Sequence, residues 1–305
     1  MTVGLSLSNT VPGEEIRQLL SSPKSTHYMA MMHKAAFKGL VYLLLVAMGL
    51  VFTFPFLWMV STSLKAPGFI YVSPPQWIPR PIYYQNYIET WQKLPFALFV
   101  RNTIFITFAA TVGYLLSSTM AAYAFARLRF KGRSVYFAAL LSTMMLPGQV
   151  TLIPQFILFK NLGWLDTFLP LIVPSFFGSA FYTFLLRQFF LTLPTALDEA
   201  ALMDGASPPR ILWSVLLPLA KPALATVTVF SFIYHWNDFF GPLIYLTNQN
   251  KMTIAVGLQL FRGQYDTDYA HMMAGATTAI IPVLVVFFLA QDLFVQSIAL
   301  TGMKG

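Results

Sequence analysis

Six apolar runs, each of about 20 residues or more, constrain this chain more than any other feature of its sequence. They cover residues 39–64, 100–126, 134–158, 167–190, 222–246 and 271–296. The interior of a bilayer offers no water to backbone N–H and C=O groups, so only helices and closed barrels can cross it. The runs are too long for membrane strands and show no alternation of period two. The sequence therefore predicts an all-α integral membrane bundle of six transmembrane helices.

The composition excludes a soluble domain and argues against a nucleic-acid partner. Hydrophobic residues make up 57% of the chain and charged residues only 10%, whereas soluble domains average roughly 45–50% and about 25%. The net charge of +8 comes from basic residues scattered around the apolar runs, with no long basic stretch. The chain has no cysteine, so it contains no disulfide and no thiolate metal site.

The positions of Lys and Arg predict which side of the membrane each loop faces. With the N-terminus inside, twelve of these residues fall in cytoplasmic segments and seven in external ones. The short loop at 126–133 alone carries four positive charges. We therefore expect both termini to be cytoplasmic, with a tail at 1–38, a transmembrane domain at 39–297 and a short tail at 298–305. The first tail is either a regulatory element or a solvated leader. A cleavable signal peptide is not expected, because the first apolar run begins too late in the chain.

A polar segment at 198–222 interrupts the apolar pattern between the fourth and fifth runs. Its first half contains good helix formers, with acidic residues at the start, where the helix dipole favours them. Gly205 then allows a sharp turn. Ser207 and two prolines are suited to begin a second helix, predicted over 210–217 and ending near Pro218. The segment is predicted to form a helix, a turn and a helix across the membrane surface, on the cytoplasmic side.

The same segment carries a recognisable spacing: Glu-Ala-Ala, a Gly six residues after the Glu, and a later aliphatic-x-Leu-Pro sequence. These positions are Glu199, Ala200, Ala201, Gly205, Val215, Leu217 and Pro218. The pattern resembles the EAA loop of binding-protein-dependent ABC import permeases, above all the second permease subunit of carbohydrate importers of the maltose-transporter type. That family more often has Ile at position 215. The resemblance runs from the first apolar run to the C-terminal tail and implies the type I ABC importer permease fold.

The resemblance implies a coupling role for the loop at 198–222, because in that family the EAA loop docks into a cleft on a cytoplasmic ATPase. The residues to which it assigns this role are Glu199, Ala200, Ala201, Asp204, Gly205, Ala206 and Pro218. Glu199 would contact a basic residue of the ATPase, and Gly205 would shape the turn that enters its cleft. The chain itself is then not an enzyme: ATP and Mg²⁺ belong to the partner ATPase, and no cofactor is expected on this chain.

The resemblance also implies a set of partners and a location. The partners are a sister permease in a heterodimer, two copies of the ATPase, an extracytoplasmic solute-binding protein and the lipid of a bacterial inner membrane, which the chain crosses several times. The cargo is expected to be a sugar or oligosaccharide, acidic ones included, and the sequence does not identify it. The aromatic-rich external loop at 65–99 is either a docking surface for the binding protein or an interfacial aromatic belt.

Polar residues within the apolar runs are candidates for a solute pathway, because such groups are costly in a bilayer and are kept there for a function. The candidates are Asn102, Gln149, Tyr234, Trp236, Asn237 and Asp238. Aromatic rings can stack on the apolar faces of sugars, and Asn237 and Asp238 can bind hydroxyl groups. The alternative is that Asn237 and Asp238 pair with the partner subunit.

Other features of the runs have structural interpretations. The spacing of His235 and Asp238 predicts that they share one helical face. Such a pair can bind a metal ion or relay protons, or it can be a buried pair whose hydrogen bonds are satisfied. No metal site is predicted. Pro147 and Gly148 predict a break in the third run, and prolines suggest another in the fourth. The hydroxyl residues at 117–119 predict plain close packing of helices.

The sequence contains none of the patterns typical of nucleotide binding or hydrolysis. It has no Gly-x-x-x-x-Gly-Lys-Ser/Thr, no Gly-x-Ser-x-Gly and no His-Glu-x-x-His. No catalytic residue is predicted, so energy must come from a separate subunit or from an ion gradient. An ion-coupled secondary transporter is therefore the alternative function. It would need intramembrane carboxylates and inverted repeats, whereas only Asp238 lies well inside a run and no clear repeat is visible.

Overall fold

A computed structural model describes residues 23–263 and 267–302, with side chains described for 31–263 and 267–291. This part of the chain contains no β-strand, only an isolated bridge between Arg262 and Thr267. The helices, in chain order, are α1 (Pro23–Ser63), α2 (Gln85–Lys93), α3 (Phe96–Arg127), α4 (Arg133–Ser142), α5 (Gly148–Asn161), α6 (Leu169–Ile172), α7 (Ala180–Thr192), α8 (Ala196–Met203), α9 (Pro208–Ile211), α10 (Leu217–Leu219), α11 (Lys221–Trp236), α12 (Phe240–Tyr245), α13 (Ile254–Gln259) and α14 (Tyr269–Gly302). The prediction of an all-α protein is confirmed.

The chain divides into two compact units, residues 1–58 and residues 59–305. The described part of the first unit is helical and belongs to α1, whose side chains are exposed from residue 31 to residue 57. Most of these side chains are large and apolar. A helix that is apolar on all sides is stable when lipid or protein surrounds it, as expected of a membrane span.

Four helical segments in the described part are long and apolar enough to cross a membrane: Met31–Ser63, Phe96–Arg127, Leu169–Thr192 and Tyr269–Gln291. Two further segments are bent pairs. Arg133–Met145 and Gly148–Asn161 meet at 98°, and Pro208–Leu219 and Lys221–Trp236 meet at 83°. The described part of the chain therefore has four candidate spans by length and composition, or up to six if each bent pair is one span. The exact number of six stays a prediction.

The predicted break at Pro147 is confirmed. Leu146 is extended (φ −85°, ψ 118°), because a residue before proline avoids the helical region, and α5 begins just after the proline. The fourth run is also interrupted: a 3₁₀ turn at Val173–Phe177 is followed by Gly178 with φ +88°. The fifth run is interrupted as well, since α11 ends at Trp236 and α12 begins at Phe240.

Helix α3 is the central element of the second unit, and it packs against the interrupted fourth run. Ser117 Oγ donates to the carbonyl oxygen of Ser175 at 2.9 Å, and Ser118 Oγ accepts from the Ser179 amide at 3.2 Å. Gly113 lies so close to the same turn that an added Cβ would overlap Ser175. The two serines therefore do more than the plain packing predicted for them, because they bond to the backbone where the helix is broken.

The aromatic-rich loop at 65–99 is tied to the rest of the second unit through α2. Asn86 is fully buried, and its Nδ2 donates to the carbonyl oxygens of Ser63 and Lys65, each at 2.8 Å. The imidazole of the buried His271 lies between Glu89 Oε2 at 3.0 Å and Asp268 Oδ1 at 2.6 Å. The loop is thus held in place by polar contacts, and several of its aromatic side chains remain exposed, which suits both interpretations of the loop.

The segment that contains Asn250 and α13 is fixed on the first turns of α3. Asn102 Nδ2 donates to the carbonyl oxygens of Asn250 and Met252, at 2.8 and 3.1 Å. The Ile254 amide donates to Thr103 Oγ1 at 2.9 Å, at the start of α13. Within α13, Gly257 contacts the fully buried ring of Phe99, and an added Cβ would lie 2.6 Å from Phe99 Cε2.

We expect Gly257→Ala to destabilise the protein, because the buried ring of Phe99 cannot move aside and overpacking costs about 1–3 kcal/mol. The measurement is the thermal unfolding midpoint of the detergent-solubilised protein. Gly148→Ala is the matched control, since nothing lies within 4 Å of a Cβ added there. Equal midpoints for the two variants would contradict the proposed close contact.

Asp166 links the turn before the fourth run to the segment that follows α12. Its backbone has φ +54°, a conformation that Asp tolerates better than most residues. Asp166 Oδ1 accepts from the amides of Thr247 (3.0 Å) and Asn248 (2.9 Å), and Lys251 Nζ donates to Oδ2 (2.8 Å). The hydrogen bond from Lys251 and those from the two amides lower the pKa of Asp166 from 3.8 to about 2.

We expect Asp166 to contribute stability that depends on pH. Because its pKa is lower in the folded protein, this contribution is complete above about pH 4 and is lost as the pH falls towards about 2. Asp166→Asn removes the charge but keeps a residue that tolerates positive φ. The difference in unfolding midpoint between wild type and this variant is expected to be largest near neutral pH and to shrink by about pH 3. A difference that does not change with pH would show that the charge is not responsible.

Candidate functional site

The predicted loop at 198–222 forms one compact helical element. Helix α8 carries Asp198 and Glu199 in its first turn, where the unsatisfied amides of the helix favour negative charge. A turn leads to α9, which passes into a π-helical turn at Leu212–Leu216 and then into α10. The predicted order of helix, turn and helix is present, with a second arm more irregular than expected.

The turn between the two arms is a Schellman motif. The Ala206 amide donates to the Ala201 carbonyl at 2.9 Å, and the Gly205 amide donates to the Leu202 carbonyl at 3.0 Å. Gly205 has φ +75°, in the left-handed region. Nothing lies within 4 Å of a Cβ added at this position. Within this chain, glycine is therefore required by the backbone conformation and not by close packing.

Two details of the second arm differ from the prediction. Ser207 occupies the N-cap position with an extended backbone, but its side chain makes no capping hydrogen bond. The helix begins at Pro208, two residues before the predicted start at 210, and it ends at Leu219, near Pro218 as predicted. The π-helical turn before Pro218 helps to accommodate it, because the wider turn reduces the clash between the proline ring and the carbonyl of the preceding turn.

The element has one buried face and one exposed face. Ile211, Leu212 and Leu216 are buried in the core beside α3 and α7, and the half-buried Ala201 and Ala206 pack against the same core. The other residues with a predicted coupling role are exposed; they are Glu199, Ala200, Asp204, Gly205 and Pro218. Ala201 and Ala206 are therefore suited to holding the turn against the core. The exposed residues are suited to contacting a partner.

Sequence reasoning missed two apolar side chains at the tip of α8. Leu202 is 54% exposed and Met203 is 88% exposed. They lie beside the glycine turn, on the exposed face that carries Glu199 and Asp204. A pair of apolar residues just before a helix-ending glycine in a polar segment was the signal that could have identified them. They give the tip a small apolar surface.

Two of the predicted pathway residues are buried and committed to the fold. Asn102 is 2% exposed, with its amide bonded to the segment that carries Asn250. Trp236 is 4% exposed; its Nε1 donates to the Ala279 carbonyl at 3.0 Å, and its ring stacks on Phe232. Neither side chain is available to a solute in this conformation, because buried polar groups take partners from the nearest backbone.

The other predicted pathway residues are accessible. Tyr234 is 64% exposed, and Asn237 and Gln149 are exposed as well. Asn237 Nδ2 donates to the Ile233 carbonyl, which caps the end of α11. Asp238 is half-buried, and its Oδ1 accepts from the Gly241 amide at 3.1 Å. The interruption after α11 therefore presents a carboxylate, an amide and a phenol near one another in the sequence.

The prediction that His235 and Asp238 share one helical face is wrong, because α11 ends at Trp236, before Asp238. His235 is buried, and its Nδ1 hydrogen-bonds to the Ser231 carbonyl at 2.8 Å. The ring of Tyr114 lies 5.6 Å away, between centroids. His235 thus has local partners in the core. No group of three His, Asp or Glu side chains suited to a metal occurs among residues 31–263 and 267–291.

We expect Gly205→Ala to loosen the turn, because a left-handed conformation costs a residue with a Cβ about 1–2 kcal/mol. The amides of Gly205 and Ala206 should then exchange with solvent roughly 5–30 times faster, as measured by hydrogen exchange of the solubilised protein. Gly205→Asn should have a smaller effect, since Asn tolerates this conformation better than Ala. Exchange as fast in the Asn variant as in the Ala variant would count against this explanation.

Comparison with known proteins places most of this chain in one group. Residues 113–300 match the family described as binding-protein-dependent transport system inner membrane component. The chain is 35% identical over 237 residues to the sn-glycerol-3-phosphate transport system permease protein UgpE of Yersinia pestis, covering 75% of this chain and 84% of that protein. It is 30% identical to the diacetylchitobiose uptake system permease protein NgcG of Streptomyces coelicolor, covering 86% and 88%.

A solved structure supports the same grouping. The chain superposes on a chain of a bacterial ABC transporter involved in the import of the acidic polysaccharide alginate, with a TM-score of 0.77 and 28% identity. The match covers 85% of this chain and 97% of that chain. The family match includes α8 to α13 and the interruption after α11, so both candidate sites lie within it.

Proposed function

Because this chain belongs to the family of binding-protein-dependent transport system inner membrane components, we propose that it is a permease subunit of an ABC importer that carries a sugar or oligosaccharide into the cell. ATP hydrolysis on a separate subunit drives the transport. The single observation that carries this proposal is the exposed, two-armed element from α8 to α10. One face of this element packs against the core, and the other is polar enough to lie outside the bilayer.

The exposed face of this element is the surface to which the ATPase binds. Glu199 and Asp204 offer carboxylates, and Leu202 and Met203 offer an apolar tip between them. A partner surface with basic residues around a shallow apolar cleft would match both parts. ATP and Mg²⁺ are held by that partner. The half-buried Ala201 and Ala206 connect the tip to the core beside α3 and α7.

The family and the charge pattern support a proposal for the rest of the assembly. The excess of Lys and Arg, above all in the loop at 126–133, favours a cytoplasmic location in a bacterial inner membrane protein for both termini and for the coupling element, by which we mean α8 to α10. A sister permease forms a heterodimer with this chain, two ATPase copies bind inside, and a solute-binding protein delivers the cargo outside. The exposed α1 is available to the sister subunit and to lipid.

The cargo pathway includes the interruption after α11. Tyr234, Asn237 and Asp238 supply an aromatic face and groups that can hydrogen-bond to hydroxyls. Gln149 contributes from the start of α5. The names of the relatives mention sn-glycerol-3-phosphate and diacetylchitobiose, and the solved structure belongs to an importer of the acidic polysaccharide alginate, so a polyhydroxylated cargo, neutral or acidic, is the class we propose.

The first test is affinity purification of the tagged, solubilised chain, followed by identification of the proteins that accompany it. Wild type is expected to retain a P-loop ATPase and a sister permease. Glu199→Lys is expected to lose the ATPase and keep the sister permease, because the reversed charge opposes a basic partner residue. Lys160→Glu is the matched control, since it reverses an exposed charge at the end of α5, away from the coupling element.

The outcomes separate the two classes of transporter. If no ATPase accompanies wild type, the proposed function is wrong, and an ion-coupled transporter becomes the better hypothesis. If the ATPase remains with Glu199→Lys as strongly as with wild type, the carboxylate is not part of the docking surface. Loss of both partners from the Lys160→Glu control would show that the assay reports general instability.

A further inference from the structure

A buried ion pair joins the coupling element to the end of α3. Arg127 is the last residue of α3, and Asp198 lies in the first turn of α8. Arg127 Nε and Asp198 Oδ2 are 3.3 Å apart, and the side chains are only 7% and 15% exposed. Arg127 Nη2 also donates to the Leu193 carbonyl at 2.8 Å, just before α8. One guanidinium therefore holds both the approach to α8 and its first turn.

The two charges depend on each other. Neither oxygen of the Asp198 carboxylate accepts a hydrogen bond within the described part of the chain, and the pair is not aligned as a hydrogen bond. Its attraction is therefore mainly that between opposite charges shielded from water, which weakens little with salt. Removing one partner would leave the other charge buried and uncompensated.

A second arginine makes the end of α3 rigid. Arg187, on α7, donates from Nε to the Phe125 carbonyl at 3.1 Å, and its guanidinium lies 4.1 Å from the ring centroid of Phe137 on α4. The last turn of α3 is thus bonded to α7 on one side and to α8 on the other. Further along α3, Ser117 and Ser118 bond to the interrupted backbone at Ser175 and Ser179.

We propose that Arg127 and Asp198 are positioning residues that make α8 and α3 move as one body when the ATPase acts on the coupling element. Displacement of α8 is then passed through the ion pair to α3, and along α3 to the break that follows Val173–Phe177. This inference rests on the proposed function. It assigns the transmission of force to a specific contact, distinct from the exposed docking face.

The test uses the assembled transporter with a single reporter. The chain has no cysteine, so Phe177→Cys introduces a unique thiol on it, at a side chain that is 85% exposed beside Gly178. An environment-sensitive bimane label is attached there, with the cysteines of accompanying subunits replaced by serine. The measurement is the change in bimane emission on adding ATP and vanadate, together with the basal ATPase rate and the amount of assembled complex.

Arg127→Gln and Asp198→Asn are each expected to keep the ATPase bound and its basal rate unchanged, and to reduce the ATP-induced emission change at least about fivefold. The double variant should accumulate better than either single variant, because no uncompensated buried charge remains, yet its emission change should stay reduced. Arg127→Lys should be intermediate, since it keeps the charge without the forked geometry. Arg129→Gln, two residues away and exposed, should match wild type.

Each contrary result has a distinct meaning. A full emission change in Arg127→Gln or in Asp198→Asn overturns the positioning role alone. Recovery of both accumulation and emission change in the double variant overturns it as well, because the pair would then serve stability only. If the label shows no ATP-induced change in the complex with the ion pair intact and the ATPase bound, the path from α8 along α3 to this break is wrong and the inference is overturned. Absence of an ATPase from the complex would instead contradict the proposed function itself.

Discussion

The need to satisfy every backbone polar group away from water governs this structure. The long helices α1 and α14 meet most of it within themselves, except near Pro55 and Pro282, which have no backbone N–H to donate. The interrupted runs need partners from other elements. At the break in the fourth run, Ser117 and Ser118 on α3 supply hydrogen bonds to the freed backbone, and Gly113 allows the close approach that this requires. The position of α3 at the centre of the second unit follows from this task, because it is the helix that supplies these partners.

Features that depend on local chemistry were predicted well from the sequence. The apolar runs predicted helices, Pro147 predicted a break, and the glycine at 205 predicted a turn, since each follows from the conformations open to a few neighbouring residues. The spacing around Glu199 led to the family, and the comparisons agree with it. The exposed face of the element from α8 to α10 was also foreseeable, because a polar segment between apolar runs is expected to face water.

Features that depend on distant partners were not predictable in the same way. Asn102 and Trp236 were reasonable pathway candidates, because polar and aromatic groups in a span are usually functional. Their true partners are backbone carbonyls at Asn250 and Ala279, about 150 and 40 residues away. Asp198 gave no sign in the sequence that Arg127 would face it. The sequence does not show which helices lie next to each other. From the sequence alone, a polar side chain that hydrogen-bonds within the fold therefore cannot be distinguished from one that binds a solute.

The π-helical turn at Leu212–Leu216 and the proline that follows it depend on each other. In a regular α-helix, the ring of Pro218 would collide with the carbonyl four residues earlier, and its missing N–H would leave that carbonyl unpaired. The wider turn holds one more residue than an α-helical turn and lessens the collision with the proline ring. Deleting a single residue from this turn would therefore do more than shorten the helix. It would rotate the tip with Glu199 and Met203 by about 100° relative to α11, because one residue of an α-helix is 1/3.6 of a turn. The register of this arm therefore fixes the direction in which the exposed tip of α8 faces.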